Sequence, residues 1–363
     1  MDTLLAPPPA PDESRSLLER PLVAAHRGAS GYRPEHTLEA YRTAIRMGAD
    51  DIEVDLVPTA DGVLVARHES ELSRTTDVER VPRFARRHRV ASVDGKTVRG
   101  WFTEDFTLDE VKRLTARERK ARLRVSNTLY DGREGVPTLD EVLAMATAEG
   151  LRRGRPVGIL LELKNPSHFA ALGLGLVDPL LAALRRHDLD RPDSPVTIMA
   201  FETRVLRELA SRSRVPRVQL LGAAHRTPRD LRGSAEARTY AELATPEGLA
   251  WVGRYAHGVG PTKELVLPVG DDGAHEAVTP LVRDAHRLGL TLQVWTLRAE
   301  NRFLPPALRA GDDAVPLGDM SGEVTAFLRA GVDRVITDHP DIAVAARDAF
   351  AAASAQRRRQ QAR

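Results

Sequence analysis

Two histidines and a pair of carboxylates, all between residues 26 and 68, have the types and spacing to do chemistry. In the segment DIEVDLV acidic and apolar residues alternate, so an extended strand would project Glu53 and Asp55 from one face. Carboxylates at this spacing offer the oxygen ligands that a hard divalent cation prefers. His26 and His68 end apolar runs on either side of this strand, and imidazoles beside a cation are suited to proton transfer. These four residues predict a metal-assisted acid–base site.

A third acid and two basic residues extend the prediction to phosphate chemistry. Glu162 ends the apolar run of LLELK, and a buried carboxylate at such a place needs a cation or a donor beside it. Lys164 would share its strand face, where it could form a salt bridge to Glu162, hold a phosphate, or do both. Arg27 is either a surface residue or a forked donor to two phosphate oxygens. We therefore interpret Glu53, Asp55 and Glu162 as metal ligands of a metal-dependent phosphodiesterase.

Two aromatic residues stand at the ends of apolar runs, namely Phe201 and Trp295. Their simplest role is to fill the core or line the mouth of the fold. Because only 4% of the chain is aromatic, two such residues in these places also favour a wall against the apolar part of a substrate.

Composition narrows the class of protein. The chain has 363 residues, 42% of them hydrophobic, which is enough for a globular core. It carries 53 basic and 51 acidic residues, so its net charge of +2 gives no reason to expect nucleic acid as a partner. It has no cysteine, which excludes disulfides and thiol chemistry. No run of residues has transmembrane length, and the N-terminus lacks the pattern of a secretory signal, so we expect a cytoplasmic protein.

Short apolar runs alternate with helical patterns along the chain, which is typical of a parallel sheet. A (β/α)₈ TIM barrel requires eight such strands, and its catalytic residues lie at the carboxyl ends of the strands. A doubly wound sheet would instead gather its site at one switch point. The residues at or near strand ends are His26, Glu53, Asp55, Glu162, Trp295 and Asp338. The strands are predicted to begin at Leu22, Asp51, Val157, Val196, Arg217, Tyr255, Leu290 and Arg334.

Domain boundaries follow from the breaks in this pattern. The proline-rich residues 1–19 are expected to be a disordered lead-in, and residues 20–353 to form the barrel. An insertion after the second strand, at about 69–107, is expected to shape access of the substrate. Residues 354–363 are interpreted as a basic, solvated tail.

Several ordered motifs together resemble the glycerophosphodiester phosphodiesterase family, in particular its periplasmic and secreted bacterial branch. They are HRGASGYRPEHTLEAY from His26, the E-x-D of Glu53 and Asp55, RHESELSRTTDV around His68, ELK at Glu162, YAHGVGP at Tyr255, VWT around Trp295 and TDHPD at Thr337. The resemblance covers nearly the whole folded chain, from about Pro21 to Ala345. The N-terminus lacks the pattern of a secretory signal, which disagrees with a place in the secreted branch.

The resemblance implies a (β/α)₈ barrel that binds one divalent cation, Ca²⁺ or Mg²⁺. The implied reaction is hydrolysis of glycerophosphodiesters, such as glycerophosphocholine or glycerophosphoethanolamine, to sn-glycerol 3-phosphate and an alcohol. Applied to this chain, the resemblance implies that the metal is held by Glu53, Asp55 and Glu162. It also implies that His26 and His68 are the acid–base pair and that the phosphate is held by Arg27 and Lys164. The sequence departs from much of the family at His36, where asparagine is common, and at Glu69, where aspartate is common.

Two alternatives stay open at this point. A lysophospholipase D-like enzyme for long-chain lipids would need an apolar mouth, which the segment from Asn301 to Met320, with its FLPPAL, could supply. A non-enzymatic anion-binding barrel would use the basic tail for docking, but it would have no need of both histidines and all three acids. The oligomeric state is not predicted.

Overall fold

The computed structural model describes Leu17, Leu18 and residues 20–361. The predicted lead-in therefore lies outside the described residues, apart from those two leucines. No helix among the described residues is long and apolar enough to cross a membrane.

Eleven strands are present within the described range, and eight of them close into a parallel barrel. They are β1 (Leu22–Ala25), β2 (Asp51–Pro58), β3 (Leu64–Ala66), β4 (Arg89–Val93), β5 (Lys96–Gly100), β6 (Gly158–Leu163), β7 (Val196–Ala200), β8 (Arg217–Leu221), β9 (Gly258–Pro261), β10 (Thr291–Leu297) and β11 (Arg334–Thr337). Around the barrel the order is β1, β2, β6, β7, β8, β9, β10 and β11, which pairs again with β1. The predicted (β/α)₈ barrel is confirmed.

One predicted strand was misplaced by three residues. The strand expected from Tyr255 begins at Gly258, and Tyr255 instead precedes the barrel. Its ring packs edge-on to that of Trp251, and its hydroxyl donates to Oε1 of Gln219 at 2.9 Å. The apolar and aromatic character of this stretch thus reflects packing between elements as well as strand formation.

The helices mostly follow the strands and cover the outside of the barrel. They are α1 (Leu38–Arg46), α2 (Leu108–Val111), α3 (Leu139–Arg153), α4 (Pro166–Ala171), α5 (Val177–Arg186), α6 (Thr203–Arg212), α7 (Tyr240–Leu243), α8 (Pro246–Val252), α9 (Leu281–Arg287), α10 (Met320–Arg329) and α11 (Pro340–Gln361). Helix α3 starts with a capping box, in which Thr138 accepts from the amide of Glu141 and the Glu141 side chain accepts from that of Thr138.

The last helix corrects the prediction of a separate tail. Helix α11 runs from Pro340 to Gln361, so most of the predicted tail, residues 354–363, continues the helix. The segment AAASAQRRRQQ contains no glycine or proline, and alanine, arginine and glutamine are strong helix formers, so nothing in it ends the helix.

The segment between β3 and α3 holds the predicted insertion. It contains short 3₁₀ turns, the antiparallel hairpin of β4 and β5, and the one-turn helix α2. Strand β3 itself pairs antiparallel with β2 after the turn at Asp61 and Gly62. After α2, a mostly irregular stretch continues as far as Thr138. This stretch supplies residues to the site described below.

Buried apolar residues form three clusters within the described range, and the two largest lie on either side of the barrel wall. The larger lies between strands and helices, and the smaller fills the barrel. The smaller cluster consists of Ala24, Leu160, Met199, Val218, Leu220 and Ile336. Because apolar side chains plug the barrel from inside, polar chemistry is confined to its two ends.

Candidate active site

All nine predicted site residues gather at the carboxyl end of the barrel. An inner cavity of about 150 Å³ is lined by eight of them, His26, Arg27, Glu53, His68, Glu162, Lys164, Phe201 and Trp295. The ninth, Asp55, is 1% exposed and contacts both basic residues of the group. Residues that are far apart in the chain meet here because parallel strands all end at the same face.

The three acids form a compact cluster. One carboxylate oxygen each from Glu53, Asp55 and Glu162 lies within 4.8 Å of the others, and all three residues are buried. Burial and the charges of Asp55 and Glu162 raise the pKa of Glu53 well above its ordinary value. Burial and the charge of Asp55 likewise raise the pKa of Glu162 to about 7, even though Lys164 opposes the shift. A cation between these oxygens would relieve both costs, so the donor set fits a hard divalent ion.

Arg27 occupies a tight turn directly after β1. Its backbone is left-handed, with a φ of 59°, and its amide donates to Oε2 of Glu53 at 2.9 Å. Its guanidinium Nε lies 3.1 Å from Oδ2 of Asp55, and Nη1 donates to Oε1 of Glu35 at 3.2 Å. Burial alone would raise the pKa of Asp55, but Lys164 and Arg27 outweigh it and hold that pKa well below its ordinary value. Arg27 is therefore a buried part of the site and not a surface residue.

Lys164 stands over the acids from the strand that carries Glu162. Its Nζ lies 2.5 Å from Oε1 of Glu162 and 3.5 Å from Oδ1 of Asp55, so the predicted salt bridge is present. Nζ also sits 5.7 Å from the ring centre of Phe201. With all three carboxylates ionised, the charges of Arg27 and Lys164 leave the cluster with one negative charge. A bound divalent cation would make the total positive, which suits a phosphodiester.

His26 belongs to a buried chain of charges. Its Nδ1 lies 2.6 Å from Oδ1 of Asp338, whose other oxygen accepts from Arg124 at 2.6 Å and Arg298 at 2.8 Å. Burial opposes it, but these arginines hold the pKa of Asp338 well below its ordinary value. Burial and the charge of Arg27 lower the pKa of His26 to about 3, so its ring is neutral near pH 7. With the Nδ1 proton held by Asp338, Nε2 is left as a proton acceptor.

His68 has a similar but more open arrangement. Its Nδ1 lies 2.8 Å from Oε1 of Glu69, and Arg119 bridges Glu69 to Glu35 with contacts of 2.6 to 2.8 Å. Burial and the charges of Arg27 and Lys164 lower the pKa of His68 to about 4. Glutamate at position 69 thus reaches the histidine, although much of the family has aspartate there.

Sequence reasoning gave no role to several residues that brace the site. Nε2 of His36 lies 2.9 Å from Oδ2 of Asp55, and its Nδ1 lies 2.8 Å from the hydroxyl of Tyr41. For Asp338 the sequence predicts only a place near a strand end. Arg119 and Arg124 lie in the irregular segment before α3, where no periodicity or motif distinguishes them from other arginines.

The two predicted aromatic residues form one wall of the inner cavity. Phe201 and Trp295 meet edge to face with ring centres 5.5 Å apart, and Nε1 of Trp295 donates to the carbonyl of Gly260 at 2.7 Å. Both pack against the apolar cluster that plugs the barrel. The pair therefore gives the inner cavity an apolar surface beside its charged residues.

A larger outer cleft of about 550 Å³ opens from the same centre, sharing His68, Glu162, Lys164, Phe201 and Trp295 with the inner cavity. The tip of the β4–β5 hairpin forms part of its wall. The apolar mouth expected from the segment 301–320 is not found: within the described residues, none of that segment lines either space. Its Leu304 is buried in the core instead.

The geometry defines a class of protein. A (β/α)₈ barrel brings three features to one small polar cavity. They are two histidines in contact with carboxylates, a carboxylate cluster suited to a metal ion, and the buried basic side chains of Arg27 and Lys164. This combination can neutralise a phosphodiester, activate an attacking hydroxyl and protonate a leaving alkoxide. It is the site of a hydrolase of phosphodiesters.

Comparison with known proteins identifies the family. The profile of the glycerophosphoryl diester phosphodiesterase family matches residues 26–342. The chain belongs to this family, and it is an enzyme with glycerophosphodiester phosphodiesterase activity.

Curated relatives support this assignment, and solved structures share the fold. A glycerophosphodiester phosphodiesterase of Arabidopsis thaliana is 34% identical over 299 residues, which are 78% of this chain and 76% of that protein. One of Haemophilus influenzae is 28% identical over 345 residues, 89% of this chain and 88% of that protein. Among structures, a phosphodiesterase of Oleispira antarctica in complex with the product sn-glycerol-3-phosphate matches with a TM-score of 0.59 at 20% identity, covering 91% of this chain and 97% of that one. An Agrobacterium tumefaciens glycerophosphodiester phosphodiesterase matches with a TM-score of 0.53 at 19% identity, covering 89% and 99%.

Proposed function

We propose that this protein hydrolyses glycerophosphodiesters, such as glycerophosphocholine or glycerophosphoethanolamine, to sn-glycerol 3-phosphate and an alcohol with the help of one Ca²⁺ or Mg²⁺. The observation that carries the proposal is the meeting of Glu53, Asp55 and Glu162 within 4.8 Å, beside both histidines. The Oleispira antarctica phosphodiesterase in complex with sn-glycerol-3-phosphate supports the identity of the product.

Glu53, Asp55 and Glu162 would hold the cation. When bound, it supplies charge neutralisation and lowers the pKa of a coordinated hydroxyl. Arg27 and Lys164 bind the phosphate oxygens from the two sides of the acid cluster, which places their positive charges where negative charge develops in the transition state. The apolar wall of Phe201 and Trp295 excludes water from the opposite side.

The two histidines divide the proton transfers by position. His26 lines only the inner cavity, and its Nε2 is a proton acceptor, so it takes the proton of the attacking hydroxyl. His68 lines the inner cavity and the outer cleft, through which the alcohol leaves, so it gives a proton to the leaving alkoxide. Burial, Arg27 and Lys164 lower the pKa of His68 to about 4, but Glu69 raises it. A bound phosphodiester would raise it further by offsetting the charges of Arg27 and Lys164, which favours the protonated ring that this step requires.

The attacking hydroxyl belongs either to water or to the neighbouring carbon of the substrate's own glycerol. Phosphorus NMR separates the two routes during turnover. A transient cyclic glycerophosphate identifies the glycerol hydroxyl, whereas direct appearance of sn-glycerol 3-phosphate identifies water.

The first experiment measures release of sn-glycerol 3-phosphate from glycerophosphocholine by protein treated with a chelator, before and after Ca²⁺ or Mg²⁺ is added back. Loss of activity on chelation and its return with one ion support the metal-dependent reaction and identify the ion. Full activity after exhaustive chelation would contradict the assigned role of the three acids. Thermal unfolding with each ion gives a second readout, because a bound cation stabilises the folded state.

A further inference from the structure

The outer cleft carries an excess of unused positive charge. Three exposed basic residues line it without an ion pair or a side-chain hydrogen bond to any described residue, Arg74, Lys96 and Arg226. They come from three separate parts of the chain, namely the turn after β3, the start of β5 and the loop after β8. Their shared feature is that they face the same space of about 550 Å³.

The acids of the cleft, by contrast, are buried or half-buried, and three of them pair with a basic side chain. Glu69 pairs with Arg119, and Glu162 pairs with Lys164. Asp94, at the tip of the β4–β5 hairpin, accepts from Arg229 at 2.7 Å. The remaining two, Glu71 and Glu202, accept from backbone amides: Glu71 from that of Ser73 at 2.9 Å, and Glu202 from that of Ser167 at 3.1 Å. Every exposed charged residue that lines the cleft is basic, so an incoming group meets positive charge first.

The arrangement of the two spaces says which part of the substrate meets this charge. The inner cavity, at about 150 Å³, has room for little beyond a glycerol phosphate, and it holds the acid cluster. The alcohol moiety must then extend past His68 into the outer cleft, because His68 lines both spaces. An anionic group on the alcohol would meet Arg74, Lys96 and Arg226, whereas the cation of choline would be repelled by them.

We propose that the outer cleft is a subsite for an anionic alcohol moiety, so that the preferred substrates are glycerophosphodiesters whose alcohol itself bears a phosphate group. The proposal rests on the glycerophosphodiester hydrolysis proposed above. The reaction is unchanged: water or the glycerol hydroxyl displaces the alcohol from phosphorus, and the alcohol leaves with a proton and its own phosphate intact.

Two substrates test the proposal because they differ in one charge on the alcohol. In glycerophosphoglycerol the alcohol is neutral glycerol, and in bis(glycerophospho)glycerol it is glycerol that carries a second phosphodiester. After division by two for its two equivalent ends, kcat/KM for the anionic alcohol should exceed that for the neutral one by about tenfold at low salt. Glycerophosphocholine should fall below both, and about 0.5 M salt should bring the three values together.

A triple variant, R74Q/K96Q/R226Q, should bring the ratio of the first two kcat/KM values most of the way to one. Arg232 also lines the cleft and donates to the carbonyl of Thr227 at 3.3 Å, so its positive charge remains in this variant. The matched control is R80Q/R86Q/R99Q. It removes three exposed arginines between positions 80 and 99 that line neither the inner cavity nor the outer cleft. Its ratio should equal that of the unmodified protein.

The outcomes separate the two proposals. Activity on glycerophosphoglycerol without preference for the anionic alcohol overturns the subsite and leaves the reaction intact. Absence of activity on every glycerophosphodiester, with either metal, overturns the proposed function itself. A triple variant that keeps the preference but no longer sediments with phosphatidylglycerol vesicles would show that these residues dock to a membrane, and it would also overturn the subsite.

Discussion

The two histidines of the site have similar contacts in different surroundings. Each places Nδ1 within 2.8 Å of a carboxylate, but the His26 and Asp338 side chains are 12% and 1% exposed, whereas those of His68 and Glu69 are 30% and 27% exposed. Two arginines from distant segments hold Asp338, while Glu69 shares a single arginine with Glu35. The buried His26 is held in one orientation, which suits the step that is the same for every substrate, the deprotonation of the attacking hydroxyl. The more exposed His68 can adapt to different leaving alcohols.

Removal of each histidine should give the largest effects and should separate their roles. His26→Ala should lower kcat about a thousandfold on both glycerophosphocholine and p-nitrophenyl glycerophosphate, because both substrates need the attacking hydroxyl deprotonated. His68→Ala should lower it as much on glycerophosphocholine, but far less on the nitrophenyl ester, whose leaving group needs no proton. The same pattern in both variants would contradict the division of roles.

Asp338→Asn should lower kcat about a hundredfold. An amide in this place can hold the wrong tautomer of His26, and it leaves Arg124 and Arg298 without their shared carboxylate. Steady-state kinetics and a pH–rate profile test this, since a positioning role moves the profile and simple loss of folded protein does not. Asp341→Asn is the control, because that carboxylate accepts from Tyr32 and contacts neither histidine.

Acid should destabilise the protein through His26. The pKa of His26 is near 6.5 in the unfolded chain and about 3 in the folded protein. Between these values the unfolded chain binds a proton that the folded protein does not, so stability decreases as the pH decreases. From about pH 7 to about pH 5 the free energy of unfolding should drop by about 2 kcal/mol on this account. Urea unfolding of chelated protein measures the drop, and His26→Gln should lack this part of it. An equal drop in the variant would argue against the burial of a neutral ring.

Glu69→Gln should have the smallest effect, about a tenfold loss of kcat on glycerophosphocholine. The amide can still contact His68, but it no longer favours the charged ring, and water can take part at this half-open position. The nitrophenyl ester should be hydrolysed almost normally by this variant. A loss as large as that of Asp338→Asn would mean that the two histidines are more alike in their requirements than their exposure indicates.

Much of the site was readable before the fold was known, because its residues follow local rules. Period-two alternation in DIEVDLV predicted that Glu53 and Asp55 share a face, and the apolar run before Glu162 placed it at a strand end. The same rules failed at Tyr255, where apolar residues before a strand were taken for the strand, and at the C-terminus, where basic residues were taken for a tail. In both cases the composition was compatible with two structures.

The sequence by itself determined the number of barrel strands, the barrel and the identity of the groups at its mouth, since periodicity and strand-end position are properties of short segments. Only the tertiary structure decided which charges meet. Arg124 reaches Asp338 across 214 positions and Glu300 across 176, and it does so from a segment without regular structure. Such pairings depend on how loops cross the mouth of the barrel, and the long-range electrostatics that select them leave no pattern in the neighbouring residues.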